Sequence, residues 1–272
     1  MRELRVLENE EIRVHAPSVF ADRPVENTSD RYLFVPTIKI VDMFRDVGWY
    51  PVTARQSSSR TTEGQIHTKH LVRFRTKQLN DIFDDVAPEI LLVNSHNKLC
   101  TFQLMAGLFR FVCVNGLVVS DSMFSKISIK HVGFDENKVI DATYRIVDDI
   151  PKIDNCMQTY KSIDLSPYEQ LMFAKRASLL RWEEGKAPVT PGFLLETHRG
   201  EDKPNNLWST YNVVQENIIK RGGIDSSYRV GRRFKVRQIK GVSNDLKINK
   251  HLWELMDSVA KEKTAVIDTS IV

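Results

Sequence analysis

The chain has 272 residues, of which 42% are hydrophobic, 27% charged and 9% aromatic. This composition is typical of a globular protein with a buried core and excludes a disordered or fibrous chain. The formal net charge is +4 at pH 7, and the 12 glycines and 10 prolines are too few for a low-complexity linker.

The sequence predicts neither a membrane span nor a secretory signal. Charged residues interrupt every window long enough to span a bilayer, and the first residues, Met1 to Arg5, lead into acidic sequence. Three cysteines, Cys100, Cys113 and Cys156, are odd in number and too sparse for a disulfide framework. We therefore expect a reduced, cytoplasmic protein without membrane association.

The first predicted elements are a short helix and a strand. Apolar residues at helical spacing predict a helix from Thr37 to Val47, with Thr37 as its cap and Gly48 as its stop. Strand-forming residues follow from Trp49 to Ala54, and Ser57 to Gly64 is typical of a polar turn.

The segment from His67 to Lys77 shows the clearest strand pattern. Its even positions carry Val72 and Phe74, which predicts one face turned into a core. The other face collects four cations, Lys69, Arg73, Arg75 and Lys77.

Further strands and then helices complete the predicted order. The strands are expected at Glu89 to Asn94, Cys100 to Met105, Leu108 to Val114 and Lys126 to His131, with a break at Gly107 and a hairpin turn at Asn115-Gly116. The helices are expected from Asp135 to Ile150, after a capping box at Ser166, at Thr190-Pro191, from Asn206 to Arg221 and from Ile248 to Lys263.

Strands followed by helices predict an α+β fold. We expect a mainly antiparallel sheet with one or two helices over residues 1–134 and a helical region over 135–272, together forming one compact domain.

Positive charge is concentrated in one segment, residues 220–250. It holds ten lysines and arginines against Asp225 and Asp245, a net charge of +8, so the rest of the chain sums to −4. Such a segment suits a polyanion, because lysine and arginine neutralise phosphates and release counterions. The alternative is a solvated, cation-decorated surface. The predicted nucleic-acid contacts are Lys69, Arg73, Arg75, Lys77, Tyr228, Arg229, Arg232, Arg233, Phe234, Lys235 and Arg237.

Catalytic and metal chemistry find less support. His67 and His70 fall on opposite faces of the predicted strand, which disfavours a shared metal, and no nucleotide-binding glycine loop is present. A pair formed by His96 and Cys113 would resemble a nucleophile with its base, but Cys113 follows the apolar face of its strand. We expect no enzyme, cofactor or metal, and keep a hydrolase or transferase built on that pair as a weaker alternative.

Several motifs resemble one family. They are Arg31 to Thr37, Asn94-Ser95-His96, Gly107 to Cys113 with Asn115-Gly116, and Asn206-Leu207-Trp208 with Gln215-Glu216-Asn217. The resemblance is to the phage/plasmid-like family of unknown function, of the YfjQ/YafZ type, and it spans roughly Ala16 to Trp253. It implies a protein of a prophage or plasmid in a bacterial cytoplasm.

A local resemblance concerns mechanism. The run from Met43 to Trp49, followed by the basic strand, is similar to the entry into the sheet of Rad52-type single-strand annealing proteins. We therefore expect a DNA-binding protein of a mobile element, an annealing or recombination accessory factor that favours single strands and can form homo-oligomers. The alternative is a counter-defence or regulatory module whose basic segment docks on an acidic protein.

Overall fold

The computed structural model describes residues 4–26, 28, 32–79, 86–111, 115–119, 126–129, 136–220, 224–225 and 234–269. The chain forms two compact units. Unit 1 consists of Met1–Ile150 with Gly241–Ser243, and unit 2 of Pro151–Lys240 with Asn244–Val272. The sequence predicts that the strand region ends at residue 134 and that a helical region follows. The boundary between the two units lies further along the chain, within one continuous helix.

Unit 1 is built on an antiparallel sheet. Its strands are β1 (Tyr50–Gln56), β2 (His70–Arg75), β3 (Val86–Asn94), β4 (Phe102–Arg110), β5 (Asn115–Val118) and β6 (Lys126–Ile129). The described strands follow the order β1-β2-β3-β4-β5, and β6 pairs with the other end of β4. The helices of this unit are α1 (Asn9–His15), α2 (Thr37–Asp46), α3 (Thr62–His67) and the first part of α4 (Glu136–Ser162), with a 3-10 turn at Pro17–Phe20.

The core of unit 1 lies between one face of the sheet and α2. Phe44 of α2 stacks on Phe74 of β2 with ring centroids 4.6 Å apart, and both side chains are buried. α2 ends at Asp46, and two residues later Gly48 has a φ of +84°, in the left-handed region that glycine adopts without strain.

Two predicted strand boundaries are wrong. β2 begins at His70, because residues 62–67 form α3 and His67 ends that helix. β4 runs unbroken through Gly107, where the sequence predicts a break. A Cβ at this glycine would lie 2.1 Å from Leu91 Cδ1 on β3, so its lack of a side chain serves close packing and not a turn.

Unit 2 is helical. It contains the end of α4, α5 (Pro167–Leu179), α6 (Leu207–Ile219), most of α7 (Val242–Thr269), and two short paired strands, β7 (Ile224–Asp225) and β8 (Phe234–Lys235). Its core is aromatic: the rings of Trp208 and Tyr211 on α6 lie 6.4 and 6.0 Å from that of Trp253 on α7. The predicted capping box at Ser166 is present at the start of α5. A sheet in the N-terminal half and helices in the C-terminal half confirm the α+β class.

None of the helices in the described part of the chain is long and apolar enough to cross a bilayer.

Candidate nucleic-acid interface

Two of the four strand cations are buried in an ion cluster. Arg73 Nη1 lies 2.5 Å from Glu89 Oε2, and Arg75 Nε lies 3.3 Å from Glu89 Oε1. The side chains of Glu89, Arg73 and Arg75 are 0%, 7% and 11% exposed. The expectation that these arginines form an open cationic face is therefore wrong, because the protein neutralises them with its own carboxylate.

The register of the sheet explains this cluster. Phe74 on β2 pairs with Ile90 on β3, so Glu89 lies beside the strand positions of Arg73 and Arg75. Arg73 Nη1 also donates to the carbonyl of Leu117 on β5, at 3.3 Å. The sequence signal was Glu89 itself, a lone charge inside an apolar run, because a buried carboxylate needs a cationic or hydrogen-bonding partner.

The other two strand cations lie at its ends. Lys77 follows β2 and is exposed, with its Nζ 6.0 Å from the centroid of the Tyr50 ring. Lys69 precedes β2, is half-buried, and donates from Nζ to Ser243 Oγ at 3.0 Å. Of the predicted strand contacts, Lys77 is thus the one most open to a ligand among the described side chains.

The basic segment contains two short strands that pair with each other. β7 and β8 pair antiparallel, with Ile224 opposite Lys235 and Asp225 opposite Phe234. The joining residues, which include Tyr228, Arg229, Arg232 and Arg233, lie outside the described residues, as do the side chains of Phe234 and Lys235.

Backbone contacts fix the chain immediately after β8. Val236 is buried, and the Ile239 amide donates to the Ile219 carbonyl at the end of α6, at 2.9 Å. The guanidinium of Arg181 donates to the carbonyls of Ile218 and Arg237. These contacts hold the backbone, and the side chains of Arg237 and Lys240 are exposed.

A separate cluster of buried polar side chains joins α2 to the sheet. His70 Nε2 lies 2.9 Å from Thr37 Oγ1, and His96 Nε2 lies 3.4 Å from the same oxygen. Asn94 Nδ2 donates to this hydroxyl at 3.0 Å, and His70 Nδ1 lies 2.9 Å from Ser18 Oγ. The predicted capping role of Thr37 is wrong, because its side chain belongs to this cluster and Pro36 caps the helix.

Complete burial favours a neutral His70, and its hydrogen bonds indicate the tautomer. Its Nδ1 lies 3.1 Å from the Thr68 carbonyl, which can only accept, so Nδ1 carries the hydrogen and Nε2 accepts from the Thr37 hydroxyl. Complete burial lowers the pKa of His70 to about 4, although the hydrogen bond to Thr68 opposes this shift.

The structure does not bring the histidines together as a metal site. His67 contacts the carbonyls of Glu63 and Arg23 through its two ring nitrogens, each at 3.1 Å. Within the described ranges, no group of three or more His, Cys, Asp or Glu residues is arranged to hold a metal ion. The pair of His96 with Cys113 stays a prediction, because Cys113 lies outside those ranges.

Comparison with known proteins gives a family. A model described as "Domain of unknown function (DUF932)" matches residues 24–253. The UPF0380 protein YafZ of Escherichia coli (strain K12) is 35% identical over 259 residues, which cover 95% of this chain and 93% of the relative. The chain belongs to the DUF932 family. The UPF0380 protein YfjQ of the same organism is 34% identical with the same coverage, so the predicted YfjQ/YafZ-type membership is confirmed.

No solved structure matches this DUF932 protein. The local similarity to Rad52-type annealing proteins stays a prediction.

Proposed function

We propose that this DUF932 protein binds nucleic acid through the basic segment, residues 220–250, and favours single strands. The observation that carries the proposal is the anchored stretch after β8, where buried Val236 and the contacts of Arg181 and Ile239 hold the backbone while Arg237 and Lys240 are exposed. A cationic surface held in one arrangement loses less conformational entropy on binding than a free tail does.

The segment carries ten lysines and arginines against two acidic residues, a net charge of +8. One of its two acidic residues, Asp245, is buried at the start of α7, and its carboxylate accepts from Asn249 Nδ2 at 2.8 Å. A concentration of exposed cations favours a polyanion, because each neutralised phosphate releases condensed counterions.

The preference for single strands rests on sequence. Tyr228 and Phe234 stand among the arginines of the segment, and aromatic rings stack on bases that a duplex would hide. The role as an annealing or recombination accessory factor of a prophage or plasmid, without enzymatic activity and acting in the cytoplasm, rests on the resemblances described above.

The decisive experiment measures the salt dependence of binding. A labelled single-stranded oligonucleotide is titrated with the full chain at several salt concentrations, followed by fluorescence anisotropy. The test variant carries Arg237→Glu and Lys240→Glu together, and the matched control carries Lys175→Glu and Lys203→Glu, two exposed lysines outside the segment. Each lost phosphate contact should lower the slope of log K against log salt by about 0.7.

The proposal predicts weaker binding and a smaller slope for the double variant and an unchanged slope for the control. Absent or salt-independent binding of the unmodified chain would overturn it. Capture of an acidic protein that survives nuclease treatment, with no binding of the oligonucleotide, would instead support the regulatory or counter-defence module.

A further inference from the structure

Unit 1 contains an apolar groove of about 220 Å³ between the end of α2, the start of β1 and the first part of α4. Its wall combines three aromatic rings with aliphatic side chains. The groove is lined by Met43, Phe44, Val47, Trp49, Gln78, Val139, Ile140, Thr143, Tyr144 and Val147.

The groove face of α4 is apolar, although the helix is charged elsewhere. The lining positions 139, 140, 143, 144 and 147 follow the helical repeat, whereas Asp141 and Arg145 fall on the opposite side. Tyr144 is 61% exposed and Val47 53% exposed, although both border the groove. Large apolar side chains grouped around a cavity, and open to solvent, are typical of a binding site.

Polar groups occur at specific points of this wall. The side-chain amide of Gln78 is exposed and has no hydrogen-bond partner among the described residues. The Thr143 hydroxyl donates to the Val139 carbonyl at 2.9 Å, which leaves its oxygen able to accept.

The volume limits the class of ligand. A cavity of roughly 150 Å³ holds one benzene-sized ring, so this groove accommodates one or two fused rings but not a peptide helix. The chemistry limits it further. Exposed aromatic rings stack on flat heterocycles, and a glutamine amide pairs with the edge of a base.

We propose that this groove binds a nucleobase, stacked on Tyr144, with its edge toward the Gln78 amide. The base would belong either to a free nucleotide or to an unpaired position of a strand. The inference goes beyond the proposed function, since it uses only residues of unit 1 and none of the basic segment.

The experiment uses three probes that separate these sources. They are adenosine monophosphate, a deoxyadenosine oligonucleotide, and an abasic oligonucleotide of the same length and charge. Each is titrated against the full chain and against Tyr144→Ala, Tyr144→Phe and the control Tyr168→Ala, which alters another tyrosine, 71% exposed, on α5. Both tyrosines are exposed, so these substitutions leave the core intact.

A base in a strand predicts that the deoxyadenosine oligonucleotide binds more tightly than the abasic one. Tyr144→Ala should remove this difference, about tenfold for one stacked base, while Tyr144→Phe and Tyr168→Ala retain it. Binding of adenosine monophosphate, lost in Tyr144→Ala, would support a free nucleotide as the source.

The two proposals fail separately. Equal binding of both oligonucleotides to every chain, without binding of adenosine monophosphate, would overturn the base site and leave the proposed function standing. Binding of adenosine monophosphate that depends on Tyr144, without binding of either oligonucleotide, would support the base site and overturn the proposed function.

Discussion

Glu89→Gln tests whether the charged side chains of β2 belong to the core or to an interface. The substitution keeps the shape of the side chain and removes its charge, so that Arg73 and Arg75 remain buried without a carboxylate. Removing one partner of a buried ion pair costs about 3–5 kcal/mol. Since small domains unfold with about 5–15 kcal/mol, we expect a large loss of stability.

The local geometry supports a value inside this range. Arg73 Nη1 and Glu89 Oε2 lie 2.5 Å apart, and all three side chains are nearly inaccessible to water. Burial lowers the pKa of Arg75, whereas the charge of Glu89 raises it, so the carboxylate is what favours the charged guanidinium here. The Phe109 ring, whose centroid lies 4.0 Å from Arg75 Cζ, is the same in both chains, so this contact does not add to the expected loss.

The assay is urea unfolding at neutral pH, followed by far-ultraviolet circular dichroism. The control is Glu63→Gln, which removes an exposed carboxylate from α3 and should change the unfolding free energy by less than about 0.5 kcal/mol. A loss below about 1 kcal/mol for Glu89→Gln would refute the buried cluster.

Arg73→Gln extends the same test to binding. If Arg73 belongs to the core, this variant loses stability and, where it still folds, keeps the salt slope for the oligonucleotide. If Arg73 contacts a phosphate, the variant keeps its stability and its slope falls by about 0.7.

Three further predictions concern stability. The folded-state pKa of His70 lies below its unfolded value, so its stabilising contribution is complete above pH 6.5 and falls with pH toward about 4; the unfolding free energy should drop by about 2 kcal/mol from pH 7.5 to 5, and less in His70→Asn. Gly116→Ala should cost about 1–3 kcal/mol in urea unfolding, because its Cβ would lie 2.5 Å from Arg73 Cζ, whereas Gly200→Ala meets nothing within 4 Å. Ser166→Ala removes the cap of α5 and should cost about 1 kcal/mol, seen as a lower melting temperature.

The pattern of β2 shows what alternation can predict. It correctly separates Arg73 and Arg75 from Val72 and Phe74, because neighbouring side chains of a strand point to opposite faces. It does not tell which face meets solvent. The exposure of each face depends on the neighbouring strand. Glu89 lies on that strand, and the alternation within β2 contains no information about a partner so far along the chain.

Glycine and threonine gave wrong local predictions for a related reason. Gly107 is a sheet position that must admit Leu91, and the hydroxyl of Thr37 is required by His70 and Asn94. Both residues have local preferences, for a break and for a cap, that tertiary contacts override. The apolar groove could not be predicted from the sequence either, because Val47 and Tyr144 look like parts of two ordinary amphipathic helices until the chain is folded.

α6 shows the same effect in unit 2, and it bears on charge. Apolar residues recur at helical spacing in this helix, a pattern that by itself indicates one buried stripe, yet every residue from Leu207 to Ile219 is buried. Glu216 accepts two bonds of 2.7 Å from Arg199, which also pairs with Asp202 at 3.0 Å. This cluster carries a net −1, and the cluster of Arg73, Arg75 and Glu89 carries +1. The net charges of these two clusters therefore cancel. The net charge of +8 on residues 220–250 still exceeds the net charge of the whole chain. The electrostatic case for a polyanion thus survives the burial of the two arginines, but it now depends on the basic segment instead of the β2 strand.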